Sequence, residues 1–83
     1  MPATLPLQLQ YFAVFREQRG LAAETVREPA ATPAELYALL RARHGFTLAP
    51  EQVRTAVNGA FVPPDHRLAA GDTVVFIPPV AGG

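Results

Sequence analysis

One stretch limits the possible folds more than any other: "TPAELYALLRARHG", Thr32 to Gly45. The Thr32 hydroxyl can accept a hydrogen bond from the backbone of the first turn, Pro33 suits the first helical position, and Glu35 closes a capping box. Gly45 supplies the stop, while Arg41, Arg43 and His44 lie late in the helix, where positive charge suits the dipole. Leu36, Leu39 and Leu40 fall on one face. This is the main helix, because nine prolines in 83 residues break the rest into short elements. A helix with one apolar stripe must be covered, so the flanking segments have to supply a sheet.

They have the pattern for it. "LPLQLQYF" alternates Leu7, Leu9 and Tyr11 against Gln8, Gln10 and Phe12, the period of a strand with one buried face. "AVFREQRG" predicts a turn or two of helix ending on Gly20, and "AETVRE" a short strand. After the main helix come "VRTAVN", "GAFV" and "DTVVFI", with Asn58-Gly59 a hairpin signal and Ala70-Gly71-Asp72 another turn. The expected class is α+β: a mixed sheet with the main helix on one side.

Two departures from clean alternation point outward. Phe12 is in phase with the glutamines, and in the last strand Val74 and Phe76 oppose Val75 and Ile77, so both of its faces are apolar. One face goes under the helix; the other, with Phe12 and Phe61, predicts an apolar docking patch on the open side of the sheet.

Composition excludes several classes of function. Seven arginines balance seven acids, and no segment is locally basic enough to follow a phosphate backbone, so nucleic acid is not an expected partner. No apolar run approaches a membrane span and "MPATLPLQLQ" lacks the pattern of a signal peptide, which reads as a soluble cytoplasmic protein with no membrane partner. Cysteine is absent, and His44 and His66 stand far apart, so neither a thiolate nucleophile nor a metal site is expected. Asp65 and His66 have no third group placed beside them and read as a turn; Arg16, Glu17 and Arg19 read as a solvated helical face.

The last eight residues, "FIPPVAGG", divide into a strand end and a tail. Pro78 and Pro79 stiffen the exit, and residues 78–83 fully extended reach roughly 20 Å. Gly82 and Gly83 have no Cβ and can pass a narrow channel, bringing a C-terminal carboxylate to another protein's catalytic centre. A free α-carboxylate, with a pKa of about 3.5, is ionised and inert at neutral pH, so reaction requires activation. The domain is therefore read as 1–77, followed by a flexible reactive tail, 78–83.

With "YFAVFREQRG" near the start, the capped helix, and "AVNGAFVPPDHRLAAGDTVVFIPPVAGG" at the end, the chain resembles the small subunit of molybdopterin synthase, the MoaD-type sulfur carriers with the ubiquitin-like β-grasp fold. The resemblance runs from Leu7 onward and is most specific in "GDTVVFIPPVAGG". It implies that Gly83 is adenylated by an ATP-dependent activating enzyme and converted to a thiocarboxylate with sulfur from a donor protein. The tail, Pro78, Pro79, Val80, Ala81 and Gly82, then enters the large synthase subunit, within a heterotetramer, and sulfur passes to cyclic pyranopterin monophosphate. Phe12, Phe61 and Ile77 match partner-facing positions. On this reading the chain binds no cofactor, ATP is used by the activating enzyme, and the active site belongs to the large subunit. A sulfur carrier of the thiamin thiazole type and a β-grasp interaction module without chemistry are the alternatives.

Overall fold

The computed structural model describes residues 4–79 and orders them as β1 (Leu5–Tyr11), α1 (Val14–Arg19), β2 (Ala23–Glu28), α2 (Pro33–His44), a 3-10 turn (Pro50–Gln52), β3 (Arg54–Val57), β4 (Ala60–Val62) and β5 (Thr73–Ile77). One five-stranded sheet runs β2-β1-β5-β3-β4. Its centre is the parallel pair β1 and β5, with Tyr11 beside Phe76; every other pairing is antiparallel. This is the mixed sheet and main helix of an α+β ubiquitin-like β-grasp. No helix is long and apolar enough to cross a membrane among the described residues.

The alternation in β1 works as read: Leu7, Leu9 and Tyr11 are buried, Gln8 and Gln10 exposed. Opposite them α2 buries Pro33, Leu36, Tyr37 and Leu40, one stripe at helical spacing. Leu39 flanks that stripe and is only half-buried, so Tyr37 takes the core position beside Leu36 and donates its hydroxyl to the Leu48 carbonyl at 2.7 Å. At the helix start Thr32 Oγ1 accepts from the Glu35 amide, as expected. The Glu35 carboxylate, however, reaches the Thr32 hydroxyl and the amide of Ala31, one residue before the capping residue.

Phe15 is the one buried residue of α1. It packs edge-on against Phe46, Tyr37 and Phe76, with centroids 5.1, 5.9 and 6.5 Å away. Such contacts add roughly 0.5–1.5 kcal/mol each beyond the area they cover. The helix enters through Ala13, whose φ of 50° is unusual for a residue with a Cβ. Asn58 and Gly59, at φ 51° and 88°, make the tight hairpin turn between β3 and β4.

Candidate functional site

Both helices cover one face of the sheet, so the outward phases of the strands meet on the other. Residue pairing sets them in rows. Next to the hairpin turn, Gln8 pairs with Thr25 on one side and Thr73 on the other. One step toward the far end, Gln10 pairs with Val75, Val75 with Ala56, and Ala56 with Phe61. At the end of β5, Ile77 pairs with Arg54. The face thus grades from polar to apolar along β5, and the apolar end is where the chain leaves the sheet.

Of the residues expected to face a partner, Phe12 is 52% and Phe61 60% exposed, and Ile77 is half-buried. Ile77 and Phe61 are joined through β3, because the Arg54 guanidinium lies 4.4 Å from the Phe61 ring centroid. Phe12 follows the last residue of β1, at the same sheet end as Phe76 and Ile77. Pro78, half-buried, and Pro79, exposed, continue from β5 without regular structure. Val80, Ala81, Gly82 and Gly83 lie outside the described residues.

Sequence reading missed Arg54. The available signal was its phase in "RTAV": Thr55 and Val57 are buried, which leaves Arg54 and Ala56 outward. Its neighbours across the strands, Ile77 and the Phe61 ring, are set by long-range pairing that no local pattern shows. Beside them runs an open groove of about 470 Å³, bordered by Pro50, Val53, Arg54, Phe61, Pro63 and Pro64.

Acidic side chains of the sheet sit on the helix side. Glu24 accepts from Arg19 through both carboxylate oxygens, each at 2.9 Å, and from the Tyr11 hydroxyl at 2.7 Å. Arg19, expected on a solvated face, therefore belongs to a part-buried network: α1 ends next to β2, and the carboxylate is within its reach. The Arg19 contact is the main reason the Glu24 carboxyl is held below its usual range. Burial, reinforced by the Glu24 carboxylate, pushes the Tyr11 phenol up. Glu28, only 4% exposed, takes two hydrogen bonds from Arg43. Burial and nearby Arg19 push the His44 imidazole below its ordinary value.

Asp65 stays exposed and His66 half-buried in a turn closed by the His66 amide on the Pro63 carbonyl. Among the described residues, no group of three or more His, Asp or Glu could hold a metal ion. The chemistry offered by the described part is recognition: an apolar patch, one stacked cation, and a strand that leads straight into the tail.

The profile of the ThiS family matches residues 9–83. Among solved structures, a protein of Pyrococcus furiosus provisionally assigned as molybdopterin converting factor subunit 1 is 30% identical. The match covers 92% of this chain and 99% of that one, with a TM-score of 0.76. Small archaeal modifier protein 1 of Haloferax volcanii is 22% identical over 92% of this chain and 99% of its own, TM-score 0.73. The Helicobacter pylori complex of subunits 1 and 2 of molybdopterin-converting factor contains a chain 21% identical, with 95% and 100% coverage and a TM-score of 0.65. The last two likenesses speak for the fold alone. No curated protein matches in sequence.

Proposed function

The chain belongs to the ThiS family of ubiquitin-fold sulfur carriers, and on that premise we propose that it carries sulfur for molybdopterin synthesis. The observation that carries this is the extent of the family match, which runs through the open-face strands to Gly83. The 30% identity to the Pyrococcus furiosus protein supports the molybdopterin branch over the thiazole branch.

In the proposed cycle the Gly83 carboxylate attacks the α-phosphorus of ATP on an activating enzyme and pyrophosphate leaves. Sulfide-level sulfur delivered by a donor then attacks the acyl carbon and AMP leaves, which gives a thiocarboxylate in which sulfur has replaced one oxygen with no change of oxidation state. Pro78, Pro79, Val80, Ala81 and Gly82 thread the end into the large synthase subunit while Phe12, Phe61 and Ile77 seat the domain. Sulfur is transferred to cyclic pyranopterin monophosphate, water restores the carboxylate, and two charged carriers supply one dithiolene. The Helicobacter pylori complex supports a large-subunit partner of this kind. All catalytic groups are then the partners'.

Incubation with an activating enzyme, ATP and a sulfur donor should add about 16 Da at Gly83, the difference between sulfur and oxygen. An unchanged mass with an enzyme that charges its own carrier overturns the reading. Rescue of a strain lacking the molybdopterin carrier, and not of one lacking the thiazole carrier, is the expected genetic result. Fold similarity to the archaeal modifier favours one second reading, protein modification, for which the mass experiment would show the chain attached to other proteins. Function in cells that survives Gly83→Ala, or a one-residue extension, would instead leave a docking module without chemistry.

A further inference from the structure

Arg54 occupies an unusual position for a charge. It is exposed and sits across from Ile77, the last residue of β5, so the chain leaves the sheet beside it. Its guanidinium is stacked on Phe61, which holds the group in place and leaves its edge donors free to point outward. Among the described residues no carboxylate lies within 4.0 Å of it, and no acceptor takes a hydrogen bond from its side chain. Glu51 borders the same groove without reaching it. The two inward acids of β2, Glu24 and Glu28, are already paired with Arg19 and Arg43 on the opposite face.

The outward strand positions carry Arg27 and Arg54 and no acid at all, which makes the open face cationic although the whole chain is neutral. Arg27 lies at the polar end, paired with Pro6; among the described residues Arg54 is the single charge of the outward strand positions at the apolar end. A protein that covers Phe61 and Ile77 also takes Arg54 out of water. That cost is large unless a counter-charge meets the guanidinium.

Resting on the carrier reading above, we propose that Arg54 is the specificity anchor of the docking face, and that the activating enzyme meets it with a carboxylate set in an apolar surface. Activation is the step shared by every carrier reading, and the tail cannot reach that enzyme's centre unless the face beside its exit is seated. Arg54 touches no reacting atom in this scheme. It acts on recognition, so its loss raises KM for the carrier and leaves kcat in place.

The test is steady-state loading of the full chain by an activating enzyme that charges the wild type, followed by intact mass. Arg54→Glu should raise KM at least 30-fold and Arg54→Ala about tenfold with kcat within twofold; Arg54→Lys, which keeps charge but loses the flat stack, should fall between wild type and Arg54→Ala. Wild-type KM should rise only modestly from 50 to 300 mM salt, because the pair is covered on docking, and the Arg54→Ala KM should rise less still. Circular dichroism spectra should be unchanged, since Arg54 is exposed. Wild-type loading with Arg54→Glu at wild-type KM overturns the anchor alone. Failure of the wild type to load overturns the carrier reading and the anchor with it.

Discussion

Phe61 and Phe76 lie on opposite faces of the same sheet, and truncating each to alanine should separate docking from folding. Phe61 is 60% exposed. Taking about 200 Å² for a phenylalanine side chain, roughly 120 Å² remains for a partner to cover. At about 25 cal/mol/Å² that is ~3 kcal/mol, or about two decades of Kd. The ~80 Å² already covered limits the folding cost of Phe61→Ala to about 1–2 kcal/mol, because alanine retains the Cβ. Phe76 is 1% exposed and packs on Tyr37 at 5.3 Å between centroids. Phe76→Ala should cost about 3–5 kcal/mol. A domain of this length has roughly 4–12 kcal/mol in all, so the milder Phe76→Leu is the safer comparison, with a loss of about 1–2 kcal/mol. Urea denaturation followed by circular dichroism gives stability, and calorimetric titration with the proposed activating enzyme gives affinity. The expected result is a crossed pattern: Phe61→Ala weakens binding about 100-fold, and Phe76→Leu loses stability while binding normally when folded. If Phe61→Ala binds within threefold of wild type, the open face is not the docking face and the area argument fails.

Acidification should destabilise the fold in two stages. The His44 pKa is depressed below 6.5, so its contribution is present above that value and is lost as pH falls through the folded pKa. The Glu24 pKa is depressed below 4.5, so its contribution is lost at lower pH, as pH falls from 4.5 through the folded pKa. The urea midpoint should therefore decline below about pH 6.5, and Arg19→Ala should flatten the part below about pH 4.5. Ala13→Gly should raise stability by about 1 kcal/mol, against the usual penalty for glycine, because φ at 50° is strained for alanine; a lower urea midpoint would contradict that account.

How far the sequence could be read depended on whether the information was local. Phase in "LPLQLQY" decides which residues of β1 go inside, and Phe12, one step out of phase, stands in water as expected. The capped helix begins and ends at Thr32 and Gly45 because each cap is satisfied within four residues. Which strands become neighbours is a different matter. Period two says nothing about partners, so the central parallel pairing of β1 with β5, and with it the meeting of Ile77, Arg54 and Phe61, could not be read from any one segment. The Arg19–Glu24 pair, five residues apart, escaped for a different reason: it bridges an α-helix and a strand across the turn at Gly20, and the periodicity of neither element extends through that turn. The tail at 80–83 was legible only as composition and resemblance, and lies outside the described residues.

A net charge of zero excludes a long-range field, but it does not fix the sign of any one face. In "AETVRE" the glutamates at 24 and 28 alternate with Arg27, and the observed register turns both acids toward the helices. A slip of one residue would reverse this, with two carboxylates on the open face and an arginine forced into the core. Ion pairs such as Arg19–Glu24 and Arg43–Glu28, with partly exposed arginines, contribute little to stability by themselves. Their larger effect is on choice between registers: Arg19 comes from a helix anchored by Phe15 and Arg43 from one anchored by Leu36, Tyr37 and Leu40, and each finds its carboxylate only in the native pairing. The charge of the open face is thus fixed from the other side of the sheet. Replacing both glutamates with glutamine should leave the fold standing but loosen the register of β2, seen as amide exchange in β2 that is faster than in the wild type while exchange in β5 is unchanged.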